Sequence, residues 1–276
     1  MSAQAVKAAA PRVRPALVAL DVDDTLLEED LSLREECAAA IREAQAAGVR
    51  VVLATGRMYR SVLPYALRLG LDGYLIAYNG ALVRSVRGET LHHNPVPAPL
   101  AEELIAVAEQ EGICLNLYID DELLVERADD ERVAYYVSIA GVPARPVGDL
   151  RRALELGEPT KCLFVGDAER VPGLVEELRP RFPQLQIARS KPRFIEVTRA
   201  GVQKDVGLAA VAEAYGIPRE AVMAVGDADN DISMLSWAGW GVAVANASDG
   251  AKAAADAVAE QPRGAGVCEA IRRYVL

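Results

Sequence analysis

In this chain, short apolar runs alternate with amphipathic stretches of helix length, and the alternation stops partway and later resumes. No other feature limits the fold so tightly. Residues 16–20 are a brief apolar run ending in Asp21-Val22-Asp23-Asp24-Thr25. Ser32-Leu33-Arg34-Glu35 then has the form of a capping box, opening an Ala-rich helix that stops at Gly48. Residues 49–54 are apolar and β-branched, Thr55-Gly56-Arg57 makes a turn, and residues 59–69 carry helical spacing before Gly70. A βαβα rhythm of this kind predicts a parallel sheet with helices on its faces, since adjacent parallel strands need right-handed crossovers.

From Asn79-Gly80 onward the pattern changes. Asn79-Gly80 and Arg87-Gly88 separate short hairpin-like strands, Pro95, Pro97 and Pro99 lead into a helix, and later strands flank an Asp120-Asp121 turn. This texture predicts an α+β module. The first rhythm resumes with a strand at 194–198, a helix at 202–215, an apolar strand at 221–225, a short helix at 230–237 and a strand at 241–244. The expected fold class is α/β: a doubly wound parallel-sheet core with an inserted α+β domain. The expected core covers 1–83 and 189–276, with 1–15 a loose tail, and the expected insert covers 84–188.

Charge and cysteine usage narrow the function. Asp plus Glu number 40 against 30 Lys plus Arg, a net charge of -10, which disfavours a nucleic acid or an anionic membrane as main partner. No window approaches the roughly 20 apolar residues of a membrane span, and the N-terminus lacks an apolar run of signal-peptide length, so a cytoplasmic location is expected. Cys37, Cys114, Cys162 and Cys268 are far apart and accompanied only by His92 and His93, which points to buried free thiols and not to zinc or redox chemistry.

In an open parallel sheet, ligands bind beyond the carboxyl ends of the strands. Asp21 and Asp23, two apart at a strand end, point to the same side while the backbone is extended. Their repulsion is relieved by a hard cation such as Mg²⁺, or the pair belongs to an acidic capping loop. Asp227 follows the 221–225 run, with Gly226 before it and Asp231 four residues on at a helix start. Capping explains one or two of these acids, and a metal-facing Asp227 explains the excess. Thr55 and Gly56 offer a hydroxyl and backbone N–H groups to an anion, or form an ordinary turn. Lys204 stands near a helix start, where the helix dipole disfavours a cation unless an anionic partner is present; otherwise it is a solvated lysine.

Paired aspartates, Thr-Gly-Arg, a lysine and Gly-Asp-x-x-x-Asp, in that order, resemble the haloacid dehalogenase superfamily of Mg²⁺-dependent phosphatases. The segments FIEVTRAGVQKDVGL, AVMAVGDADNDISML, AGWGVAVANA and YNGALV are similar to its Cof-type branch, which carries a large α+β (C2, type IIB) cap between the second and third motifs. The resemblance implies Asp21 as nucleophile and Asp23 as general acid and base. It implies Asp21, the backbone carbonyl of Asp23, Asp227 and Asp231 around Mg²⁺. Thr55, Gly56, Lys204 and Asn230 would surround the phosphoryl group, with Arg57 and Asn79 as further binding candidates. Asp24 departs from the commoner glycine, Asp205 replaces a glycine after the lysine and so could draw Lys204 away from phosphate, and Gly264-Ala265 stands where relatives carry an acidic pair. In the insert, His92, His93, Tyr118, Asp120 and Asp121 are either substrate-facing or ordinary surface and hairpin residues.

The implied activity is hydrolysis of small phosphorylated metabolites, sugar phosphates first, through an aspartyl phosphate. A cofactor phosphatase for FMN or pyridoxal phosphate is the alternative within the same chemistry. A phosphomutase or a non-enzymatic phospho-aspartate signalling module stands further off, because Asp23 and the large insert argue against them.

Overall fold

The structure is a computed structural model describing residues 10–276, so positions 1–9 of the expected tail lie outside the described residues. The chain enters with β1 (Leu17–Leu20), α1 (Glu35–Ala46), β2 (Arg50–Ala54), α2 (Tyr59–Arg68), β3 (Tyr74–Ala77), β4 (Leu82–Ser85) and β5 (Thr90–His93). There follow α3 (Ala98–Glu111), β6 (Cys114–Ile119), β7 (Glu122–Val125), α4 (Glu131–Ala140), β8 (Ala144–Pro146), α5 (Leu150–Ala153), β9 (Lys161–Val165), α6 (Val171–Arg181), β10 (Leu185–Lys191) and β11 (Phe194–Arg199). The last part holds α7 (Lys204–Ala214), β12 (Val222–Gly226), α8 (Ile232–Trp237), β13 (Trp240–Ala243), α9 (Asp249–Ala254), β14 (Ala257–Val258) and α10 (Arg263–Tyr274). Among the described residues no helix is long and apolar enough to cross a membrane.

The chain divides into two compact units. One runs to His92 and resumes over Gln203–Leu276; the other is His93–Val202. The first holds an eight-stranded sheet of order β14-β13-β12-β1-β2-β3-β4-β5. Its strands from β14 to β3 are parallel, and β4 turns back antiparallel on β3. All four residues of β1 are fully buried, as a central parallel strand covered on both faces requires. Helix α1 buries Cys37, Ala38, Ala40, Ile41 and Ala44 at helical spacing and packs against α10, while α7 packs against α8. The capping box expected at Ser32 does not form: α1 starts at Glu35 without a side-chain cap, and the Ser32 amide donates to Asp30.

The second unit has a six-stranded sheet of order β10-β11-β9-β6-β7-β8, antiparallel except where β8 joins β7. It builds its own core from residues such as Leu104, Leu117, Phe164, Leu178 and Ile195. Asp120 and Asp121, both at positive φ, make the tight β6–β7 turn, the backbone a two-residue hairpin loop demands.

The unit boundaries fall elsewhere than 84–188. On the N-terminal side β4 and β5 extend the first sheet, which carries it to residue 92. On the C-terminal side the strand expected to reopen the parallel core, at 194–198, instead pairs antiparallel with β9 and β10 in the second sheet. Strand pairing is a long-range property, and this apolar run has the same local pattern in either sheet.

Candidate active site

The first sheet winds outward in two directions from β1, through β2 and β3 on one side and β12 to β14 on the other. The carboxyl ends of β1 and β12 therefore flank the topological switch point, where such sheets leave a crevice. Asp21 directly follows β1, and its amide donates to Val225 O of β12 at 2.9 Å. Asp227 directly follows β12. Two acids far apart in sequence thus come together because their strands are neighbours.

Lys204, the first residue of α7, joins them through two close approaches at glycines. Gly80 has φ +97°, and a Cβ there would stand 2.2 Å from Gln203 O; a Cβ on Gly207 would stand 2.6 Å from Ile76 Cγ2. Only residues without side chains let α7 lie this close to the turn after β3. Lys204, fully buried, donates from Nζ to Asp21 Oδ1 at 2.5 Å and to Asp231 Oδ1 at 2.6 Å. Asp231 Oδ2 accepts from the Asp227 and Ala228 amides at 2.9 and 3.0 Å. Gly226 makes room for this carboxylate, since a Cβ at 226 would lie 2.7 Å from it. Thr25 Oγ1 donates to Asp227 Oδ1 at 2.7 Å, tying the loop after β1 to the loop after β12.

One ammonium faces three carboxylates here. Burial pushes the Asp21 carboxyl well above its ordinary range, Asp231 and Asp227 push the same way, and Lys204 opposes them. Asp227 is also raised, by burial first and by Asp231 and Asp24, against its hydrogen bond from Thr25. Burial alone would depress Lys204, but Asp21 and Asp231 outweigh it and hold the ammonium above the usual lysine range. The cluster is short of positive charge. Oxygens of Asp21, Asp227 and Asp231 all lie within 4.8 Å of one another, and oxygen-only donors with an unmet negative charge fit a hard dication such as Mg²⁺. Both Asp231 oxygens are already engaged, by Lys204 and by two amides, so Asp21 and Asp227 would be the better direct ligands of such an ion, with Asp231 bracing them.

The remaining expected residues gather beside this cluster. Thr55, fully buried, follows β2; its Oγ1 accepts from the Arg57 amide at 3.1 Å and its carbonyl from the Asn79 amide at 2.9 Å. Asn230 Nδ2 donates to Asn79 Oδ1 at 3.0 Å, and Asn79 Oδ1 would lie 3.1 Å from a Cβ on Gly56. Thus Thr55, Gly56, Asn79 and Asn230 share one patch of the first unit. Arg57 has a partner the sequence did not suggest: its Nε donates to Asp23 Oδ2 at 2.8 Å and Nη2 donates to Asp23 Oδ1. This fork raises the Arg57 guanidinium above its ordinary value and orients the half-exposed Asp23 carboxylate.

Sequence reasoning passed over Thr25, Asn246 and Arg263. Asn246 and Arg263 both contact Asp24: Asn246 Nδ2 donates to Asp24 O at 2.8 Å, and Arg263 Nη2 donates to Asp24 Oδ1 at 3.1 Å. The only sequence signal was that Thr25 and Asn246 sit inside recognised segments. Asp205 does not take Lys204, whose ammonium goes to Asp21 and Asp231. In the second unit, His93 Nε2 bonds Thr160 Oγ1 at 2.9 Å, the Tyr118 hydroxyl meets that of Tyr136, and Lys161 Nζ lies 4.7 Å from the Tyr118 ring centroid.

Known proteins match this chain over most of its length. Residues 18–271 match the family described as haloacid dehalogenase-like hydrolase. A 5-amino-6-(5-phospho-D-ribitylamino)uracil phosphatase of Bacillus subtilis is 31% identical over 269 residues, covering 95% of this chain and 98% of the relative. A haloacid dehalogenase-like hydrolase from Bacteroides thetaiotaomicron has a similar crystal structure, with TM-score 0.86, 30% identity, and coverage of 94% of this chain and 99% of that one. The solved structure of a subclass IIB sugar phosphatase aligns with TM-score 0.75 at 25% identity over 94% of this chain and 98% of that one.

Proposed function

Because this chain belongs to the haloacid dehalogenase-like hydrolases and is a phosphatase of that family, we propose that it hydrolyses small phosphomonoesters through an aspartyl phosphate on Asp21. The observation that carries the reading is the buried triad in which Lys204 bridges Asp21 and Asp231 at the switch point of the sheet. A lysine held between two carboxylates fixes the orientation of Asp21 and leaves its charge only partly neutralised, as a nucleophile awaiting a phosphoryl group and a cation requires.

The steps follow from the residues. An Asp21 carboxylate oxygen bonds to phosphorus as the ester P–O bond breaks, and the Asp23 carboxylic acid gives its proton to the departing alkoxide. The Asp23 carboxylate then takes a proton from water, whose oxygen attacks phosphorus, freeing Asp21 and inorganic phosphate. Mg²⁺ would be held by Asp21, Asp227 and the backbone carbonyl of Asp23, and would supply charge neutralisation at the phosphoryl oxygens. Lys204, Thr55, the Gly56 amide and Asn230 hold those oxygens in line, Asp231 keeps Lys204 and the Asp227 loop in register, and Asn79 sets Asn230. Arg57 fixes where the Asp23 carboxylate lies.

Sugar and sugar-alcohol phosphates are the first substrate class, supported by the solved sugar phosphatase and by the phosphoribityl chain in the curated relative's name. The same name carries a pyrimidine, which favours a heterocyclic cofactor or cofactor-precursor phosphate as the second reading. Phosphate release from a panel of both classes, with Mg²⁺ or EDTA, from wild type and Asp21→Asn, tests the whole proposal. Metal-dependent release that disappears in Asp21→Asn is expected. Asp21→Asn turnover within tenfold of wild type refutes the nucleophile, and isomerised product without free phosphate points to a mutase.

A further inference from the structure

Asp24 lies between the proposed acid Asp23 and Thr25, and its backbone has φ 56° and ψ 4°. That left-handed conformation is free for glycine and, although aspartate tolerates it better than most residues, still carries a cost for a side-chain-bearing residue. The strain persists only where surroundings enforce it. A closed ring of hydrogen bonds does so here. Asn246 Nδ2 donates to Asp24 O at 2.8 Å, and the Arg263 amide donates to Asn246 Oδ1 at 2.9 Å. Arg263 Nε and Nη2 both donate to Asp24 Oδ1, at 3.2 and 3.1 Å. The three residues come from three separate segments: the loop after β1, the turn after β13, and the first residue of α10.

Two further observations show that α10 is seated for this contact. Arg263 itself has φ 47°, a second strained residue in the same ring. The next residue, Gly264, lies against the same loop: a Cβ there would stand 3.0 Å from Leu26 O and 3.3 Å from Glu28 Oε1. A Cβ at 264 would be a tighter contact than most, and the Leu26 carbonyl or the helix start would have to give by a few tenths of an ångström. The Arg263 side chain is only about a quarter exposed, so its fork is held and not waving in solvent.

We propose that Arg263, seconded by Asn246, is a positioning residue for the loop carrying Asp21, Asp23 and Thr25, and that this role exists because residue 24 is an aspartate. The carboxylate gives Arg263 its handle, and Arg263 in turn holds the left-handed turn and neutralises a fourth negative charge beside Asp227. Release of residue 24 would rotate the two peptide planes that set Asp23 on one side and the Thr25 hydroxyl, bonded to Asp227, on the other. With glycine at position 24 neither the strain nor the charge exists, and Arg263 loses its task.

The inference rests on the proposed phosphatase chemistry, and its test separates the two. Wild type, Asp21→Asn, Arg263→Gln, Asp24→Gly and the Asp24→Gly/Arg263→Gln double variant are assayed with p-nitrophenyl phosphate and Mg²⁺. In parallel, amide hydrogen exchange of the peptide spanning 21–27 is followed in EDTA, with no turnover involved. Arg263→Gln is expected to lower kcat about tenfold with KM within about twofold, and to speed exchange in that peptide, as a misplaced catalytic loop would. In the Asp24→Gly background the same change is expected to cost less than about twofold in kcat and to leave exchange unchanged. Equal losses in both backgrounds, or no loss in either, overturn the positioning role even while Asp21→Asn confirms the chemistry. If Arg263→Gln does not fold, Arg263→Lys, which keeps the charge and loses the fork, carries the test: a smaller kcat loss that vanishes in the Asp24→Gly background supports the proposal, and a loss indifferent to residue 24 overturns it.

Discussion

Replacing Lys204 by Met keeps the length of the side chain and removes the ammonium that bridges Asp21 at 2.5 Å and Asp231 at 2.6 Å. Each of those bonds joins charged groups and is worth about 1.5–3 kcal/mol. Removing one member of a buried ionic cluster costs about 3–5 kcal/mol, because the carboxylates left behind are desolvated and unpaired. At about 2–4 °C per kcal/mol for a chain of this size, the melting transition of the first unit should fall by roughly 6–20 °C at pH 8 in EDTA. The pH dependence gives the sharper check. In wild type the Lys204 pKa is raised, so its stabilisation is complete below the ordinary lysine range and is lost only as pH climbs through its folded value. Between pH 5 and 8 the wild-type lysine therefore contributes a constant amount. Asp21 is already raised with Lys204 opposing, and goes higher without it. A carboxylate raised in the folded state binds more protons there than when unfolded, so both proteins lose stability as pH rises, and the variant, whose Asp21 is raised further, loses more. Thermal scans by circular dichroism at pH 5, 6.5 and 8 should show a deficit that widens with pH. A drop below about 3 °C at pH 8, or one independent of pH, would refute the claim that the triad is a buried ionic cluster.

Gly80→Ala should destabilise by about 2–4 kcal/mol, since φ +97° penalises any Cβ and this one would meet Gln203 O at 2.2 Å. Urea titration gives the stability; because the relief is a displaced start of α7, activity should fall with it, and a stable, fully active variant would contradict the packing. Cys37, whose thiol is pushed up to about 12 by burial and then by Cys268, should resist iodoacetamide at pH 8 in the native protein and react once urea unfolds it. Mass spectrometry of the alkylated peptides reads this directly, and rapid labelling of native Cys37 would show that α1 is not packed as described.

Local periodicity reaches much of this molecule. The run 16–20 ends with β1 and the run 221–225 ends one residue before β12 does, which places Asp21 and Asp227 at carboxyl termini from the sequence alone. What periodicity does not reach is partnership across the chain. The 194–198 run looks like a core strand because its apolar alternation is the same in either sheet; only its pairing with β9 assigns it. Arg57 reads as facing a ligand, and nothing near it in sequence says that its fork closes on Asp23, 34 positions away. Asp24 stands out as an oddity, but its answer, Arg263, is 239 positions distant. Side-chain pairing between loops depends on helix placement to within an ångström or so, and glycines such as Gly80, Gly207 and Gly264, whose significance is the atom they lack, set that placement.

Gly80 also bears on how such a chain can diversify. The backbone returns from the second unit at Gln203, one residue before the lysine, and at that point the main chain is pinned against Gly80 of the first unit. The lysine is thus anchored by the sheet it serves and not by the segment that precedes it. The contacts that hold the triad, from Lys204 to Asp21 and Asp231 and from Gln203 to Gly80, all lie within the first unit, so a change of length or sequence between the two junctions leaves them in place.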